Sequence, residues 1–164
     1  CTKLYQLPTS SRFCSNQIPY KFYLLELNMK LLLLHTNAIT VIPRRKAIKS
    51  AEDVEQDKPI EMKKCMTVFA ASEEHDKDAD KVSDRIVKEV KAYASQIGAK
   101  KIMLYPYVHL TSKPGKPDLA LKILQAAKQK LSESFTVESA PFGWYKEFNI
   151  HVKGHPLAEL SREF

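Results

Sequence analysis

Two stretches of the chain repeat their apolar residues at helical spacing. Ala79, Val82, Ile86, Val90, Tyr93 and Ile97 fall on one stripe and predict a helix over Asp76 to Ile97. Asp76, Asp78 and Asp80 crowd its start, where the helix dipole favours anions, and Gly98 follows as a C-terminal cap would. Its other face, with Lys81, Arg85 and Lys88, reads as solvated. A second stripe, Ala120, Ile123, Leu124, Ala127 and Leu131, predicts a second helix, with Pro117 suited to its first position. Shorter apolar runs predict strands. Lys30 to His35 reads as a buried strand, Asn37 as a turn, and Ile39 to Ile42 as a second strand rich in β-branched residues. Pro43 to Met62 is polar and reads as a loop or irregular hairpin. Cys65 to Ala71, Lys101 to Tyr105, Phe135 to Ser139 and Trp144 to Val152 complete the strands. The order β, β, β, α, β, α, β, β predicts a single α/β domain, a mixed sheet with two main helices packed on it. Residues 1–28 show no period and carry the loop-like Pro8-Thr9-Ser10-Ser11. They read as a disordered or extraneous leader, with one extra strand, Tyr20 to Leu27, as the minority alternative.

Composition narrows the class. The chain has 164 residues, 44% hydrophobic and 27% charged, ordinary for one globular domain. The formal net charge of +7 is compatible with an RNA partner but does not establish one. The three cysteines, Cys1, Cys14 and Cys65, form no disulfide framework, and a reducing, cytoplasmic setting fits them best. No Cys or His pair has zinc-ligand spacing, and neither a metal nor another cofactor is expected. The leucine run Leu31 to Leu34 is far short of a membrane span, so no membrane partner is expected.

The candidate chemistry gathers around Ala140-Pro141-Phe142-Gly143-Trp144-Tyr145-Lys146 and Lys153-Gly154-His155-Pro156-Leu157-Ala158-Glu159. Two of the four glycines sit here. Pro141 fixes φ, while Gly143 admits φ > 0 and the close approach of another chain segment. Together with Tyr105-Pro106-Tyr107-Val108-His109-Leu110, these motifs resemble the N-terminal editing domain of archaeal threonyl-tRNA synthetase. That family has the fold of the D-aminoacyl-tRNA deacylases. The resemblance runs from about Met29 to Phe164, so 29–164 is expected to be a tRNA-editing deacylase domain.

The resemblance implies roles residue by residue. Lys146 and His109 are the catalytic candidates. Lys146 would stabilise charge developing on an ester carbonyl, and His109 would shape the pocket and position water. Tyr145 and Phe142 are candidates for stacking on the terminal adenine. Glu159 would hold Lys146 or the substrate ribose; its bland reading is a helix-surface carboxylate beside Arg162. Pro106, Val108, Ala120 and Ser72 would line the aminoacyl pocket. Val108 stands where the family has a smaller alanine and would narrow the pocket, and Ala71-Ser72 stands where relatives often carry a different small pair; both departures bear on the detailed pocket contacts. With no Ser–His–Asp set and no activated cysteine, the implied chemistry is ester hydrolysis by an oriented water.

The resulting expectation is a proofreading deacylase that removes L-serine from threonine tRNA and spares the threonyl ester. One methyl separates the two amino acids and supplies only about 1–3 kcal/mol of discrimination, so a second site is needed. The expected partners are the aminoacylated 3′ end of threonine tRNA and the catalytic part of a synthetase, in cis or in trans, with a homodimer possible. The rivals are a D-aminoacyl-tRNA deacylase and a non-catalytic RNA-binding module on the same fold.

Overall fold

A computed structural model describes residues 29–164; the expected leader and its alternative strand lie outside the described residues. Six strands and two helices follow in order: β1 (Met29–Lys46), β2 (Ile60–Ser72), α1 (Ala79–Ile97), β3 (Lys101–Pro106), α2 (Pro117–Ser132), β4 (Thr136–Ser139), β5 (Trp144–Val152) and β6 (Glu159–Glu163). They form one mixed sheet in the order β4-β3-β2-β1-β5, with β6 also on β1. The β2-α1-β3 and β3-α2-β4 units make the parallel half. β2, β5 and β6 all run antiparallel to β1.

Both helices pack on one face of the sheet. Ile86, Val90 and Tyr93 of α1 and Ile123, Ala127 and Leu131 of α2 share a core with Leu31, Leu33, Met66, Val68, Ile102 and Leu104. The stripes read from the sequence are therefore the buried faces. Asp78, rather than Asp76, caps α1, accepting the Lys81 N–H at 3.1 Å. Asp76 turns inward, accepts the Glu73 N–H at 2.8 Å, and burial pushes its carboxyl up to about 6. The opposite face carries a second core of Leu34, Ile39, Val41, Met62, Cys65, Phe69, Met103 and Tyr105.

The structure corrects several sequence expectations. The expected strands on either side of Asn37 are one continuous strand, β1. At this point the buried positions change parity: Leu31 and Leu33 face the helices, whereas Ile39 and Val41, of the same odd series, face the other core. β2 changes parity opposite it, at Lys64, whose φ of 51° is left-handed. The break in period is thus a local twist of paired strands and not a turn. The expected loop over Pro43 to Met62 is shorter, because β1 runs on to Lys46 and β2 starts at Ile60. The segment at Glu159 is neither a loop nor a helix but β6, paired to β1 from Lys30↔Glu163 to Leu34↔Glu159. β5 and β6 lie end to end along the same edge of β1, interrupted by an excursion over 153–158.

Candidate active site

The turn before β5 is built to hold one lysine. Gly143 takes φ 76°, and its carbonyl accepts the Ala47 N–H at 2.7 Å. A Cβ there would lie 2.8 Å from Ile48 Cγ1 and 2.9 Å from Ala51 Cα, so only glycine lets the loop after β1 lie against the turn. Glu52 secures it from three directions. Its carboxylate accepts the Phe142 N–H at 2.6 Å, its carbonyl accepts the Trp144 indole N–H at 2.7 Å, and its own N–H donates to the Phe142 carbonyl at 3.2 Å.

Lys146 Nζ folds back over this turn and donates to the Pro141 carbonyl at 3.0 Å and the Trp144 carbonyl at 3.1 Å. It also lies 5.2 Å from the centre of the Tyr105 ring. An ammonium has three N–H groups, so the third has no acceptor among the described residues. Burial pulls the Lys146 amine down to about 8, with Glu52 opposing the shift. The group remains mainly protonated at neutral pH, poorly hydrated and held by dipoles.

This lysine forms part of the wall of a cavity of about 610 Å³, a size suited to a nucleoside-sized ligand. The cavity opens at the carboxyl ends of the parallel strands, where α/β sheets commonly take ligands. Ala70, Ala71 and Ser72 close β2, and Tyr105 and Pro106 close β3. Val108 and His109 follow in a single 3-10 turn, and Ala120 faces in from the first turn of α2. Phe142, Tyr145, Lys146 and Phe148 complete the far side. The loop after Leu110 is clamped beside this cavity: Thr111 Oγ1 donates to Glu73 Oε1 at 2.6 Å, and the Gly115 N–H donates to the Ser72 carbonyl at 2.9 Å.

The structure brings Lys146, His109, Tyr145, Phe142, Pro106, Val108, Ala120 and Ser72 around one cavity. Val108 is 51% exposed, which puts it at the rim rather than the floor. Glu159 is the exception and corrects the expectation that it holds Lys146. It pairs with Leu34 while Lys146 pairs with Pro43, nine residues further along β1. That spacing is about 30 Å along extended chain. Nor does Glu159 neighbour Arg162 on a helix; Arg162 donates to Glu89 at 3.1 Å instead.

Sequence reasoning missed the aromatic wall and the loop behind it. Phe69, Tyr105, Tyr107 and Phe148 contact one another with ring centres 4.9–6.4 Å apart. Tyr107 carries His109 edge-on at 5.3 Å. Phe148 had a signal, an aromatic residue inside a strand otherwise polar at its centre. Glu52, some ninety positions from its partners Phe142 and Trp144, had none. Burial pushes the Cys65 thiol up, so it stays protonated within the core. Among the described residues no group of three or more His, Cys, Asp or Glu side chains is placed to hold a metal ion. No described helix is long and apolar enough to cross a membrane.

Known proteins resemble the chain in sequence and in fold. The chain is 50% identical over 137 residues to a threonine–tRNA ligase of Nanoarchaeum equitans, covering 82% of this chain and 21% of that protein. It is 44% identical over 136 residues to the enzyme of Methanococcus vannielii, covering 82% and 22%. It is 41% identical over 137 residues to that of Thermococcus onnurineus, again covering 82% and 22%. The chain thus spans about a fifth of the length of these relatives. The solved structure of a probable eukaryotic D-amino acid tRNA deacylase superposes with a TM-score of 0.54 at 10% identity, covering 84% of this chain and 99% of that one. At that identity the likeness concerns the fold, a D-aminoacyl-tRNA deacylase-like sheet with two helices. Residues 29–164 match the family described as the archaea-specific editing domain of threonyl-tRNA synthetase, and the chain belongs to that family.

Proposed function

We propose that the domain hydrolyses L-serine mis-esterified to threonine tRNA and spares the threonyl ester. The observation that carries this reading is Lys146: a partly buried ammonium with two N–H groups on carbonyls and a third without an acceptor among the described residues, in the wall of a nucleoside-sized cavity. The terminal adenosine and its ester enter the cavity, with the base against Tyr145 or Phe142 and the seryl group among Ala71, Ser72, Pro106, Val108, His109 and Ala120. A water held near His109 attacks the ester carbonyl. Negative charge develops on the carbonyl oxygen, and the free N–H of Lys146 donates to it. The bond to the ribose oxygen breaks, the ribose oxygen takes the proton given up by the attacking water, and serine leaves as the free acid. The extra methyl of threonine is excluded by contact with the small-residue wall and His109.

The substrate is the aminoacylated 3′ end of threonine tRNA, and the working partner is the catalytic part of a synthetase, in cis or in trans, in the cytoplasm. Pairing of two copies belongs to the same proposal: Glu159, which the register keeps from its own cavity, would serve a site only across such a pair.

Single-turnover deacylation of L-seryl-, L-threonyl- and D-aminoacyl-tRNA tests the reading. The seryl ester is expected to be the only good substrate. Lys146→Met keeps most of the stem and removes the charge, so seryl hydrolysis falls by on the order of 10²–10³ in kcat while tRNA binding changes little. The wild-type acceleration over the uncatalysed ester declines above pH about 8, as the ammonium is lost. His109→Ala costs less and raises the threonyl rate. Wild-type rates in Lys146→Met would end the catalytic assignment. Equal losses on both esters in His109→Ala would give the histidine a chemical role instead.

A further inference from the structure

Arg44, Arg45 and Lys46 end β1 as consecutive cations, and their surroundings differ. Arg44 donates to Asp57 at 2.9 Å and to Glu147 at 2.6 Å. Lys46 is paired with Asp53. Arg45 has no carboxylate partner among the described residues. Its guanidinium lies instead over the ring of Tyr145, 4.7 Å from the centre, as its cross-strand neighbour. Tyr145 is 55% exposed and lines the cavity, so the cation of the run that has no carboxylate partner among the described residues lies against a cavity-lining ring.

We infer that Arg45, stacked on Tyr145, is a phosphate-holding residue for the RNA strand that leaves the cavity; the inference rests on the deacylase reading above. A terminal nucleoside bound inside carries a phosphodiester on its 5′ oxygen, and the chain continues outward from there. An anion must therefore cross the mouth. A guanidinium lying over an aromatic face keeps its N–H edge free and has already lost much of its rotamer freedom. Its planar fork matches two phosphate oxygens. Tyr145, 55% exposed beside Arg45, still presents ring surface on which a base can stack. The residue positions the acceptor strand and has no part in breaking the ester bond.

The test uses the full chain and a synthetic, unacylated acceptor-stem hairpin with a single-stranded 3′ end. Arg45→Ala is expected to weaken binding roughly tenfold at low salt and to lower the salt slope by about 0.7, the value for one phosphate contact on a single strand. Arg45→Lys keeps the slope and recovers part of the affinity. Arg85 is the control, because it stacks at 4.8 Å on Phe164, an aromatic residue that does not line the cavity as Tyr145 does; Arg85→Ala should leave the slope unchanged. The seryl ester of adenosine, which has no phosphate, should be hydrolysed equally by wild type and Arg45→Ala. An unchanged slope in Arg45→Ala, an equal drop in Arg85→Ala, or slower hydrolysis of the phosphate-free ester by Arg45→Ala would each overturn the inference. An active wild type that fails to bind the hairpin would overturn it too. If the hairpin results hold but wild type hydrolyses no seryl ester, the phosphate contact stands and the deacylase reading falls.

Discussion

Lys146 and Asp76 are both held against their preferred charge state, and they act on stability in opposite pH windows. Lys146 titrates near 8 in the fold against 10.5 for the free side chain, so the folded form binds its proton less tightly than the unfolded chain. Stability from this group therefore rises as pH goes from about 8 to above 10.5. Asp76 is raised from 3.8 to about 6, so its contribution is present below 3.8 and is lost as pH rises through about 6. Between these windows, where the proposed reaction runs, both groups disfavour the fold. Thermal midpoints measured from pH 4 to 10 should show each effect separately. Asp76→Asn removes the acid-side fall, and Lys146→Met removes the alkaline rise. Profiles of both variants parallel to wild type would mean that neither group is shifted.

At the scale of elements, the turn over Pro141 to Trp144 is the most constrained piece. Gly143→Ala would meet a left-handed φ and contacts under 3 Å with Ile48 and Ala51. We expect a loss of about 2–4 kcal/mol. Activity should fall with it, because the carbonyls of Pro141 and Trp144 that hold Lys146 flank this residue. Gly154→Ala is the matched control, since a Cβ there meets nothing within 4 Å. Denaturant unfolding of both variants checks the pair, and equal costs would remove the special role of the turn. Helices and interior strands were legible because period reports burial directly. β1 was misread as two strands because a change of face at Asn37 breaks its period as a turn does. β6 was missed because Glu159, Ser161, Arg162 and Glu163 leave only Leu160 as an apolar marker, and its place is set by pairing with distant Leu31–Leu34. The candidate site was legible where short motifs carried it, in Tyr105–His109 and Phe142–Lys146. Glu159 fell out because nearness in sequence to a motif does not bring a residue to the end of β1 where Lys146 sits.

For the whole molecule, the two described cores and the described cavity are built within residues 29–164, the span that matches the family. A chain starting at Met29 is therefore expected to keep the thermal midpoint and the seryl-ester hydrolysis of the full sequence. A large loss of either would assign residues 1–28 to the working fold. The β1–β6 ladder also brings Met29 and Phe164 side by side. The Met29 N–H donates to the Phe164 carbonyl at 2.7 Å, and the Phe164 N–H returns to the Met29 carbonyl at 3.1 Å. With these positions already paired, chain order is separable from shape. Joining Phe164 to Met29 through a short glycine-serine link and opening the backbone between Gly154 and His155 gives a circular permutant. In it β6 leads directly into β1 as a hairpin, and the new ends emerge from the excursion that interrupts the β1 edge. Such a permutant should fold to the same sheet and retain the cavity, because the cut removes none of the pairings on either side of it. Its circular dichroism and single-turnover rate, compared with the parent, would show whether the edge strand needs the continuity of Val152 to Glu159 or only their places beside β1.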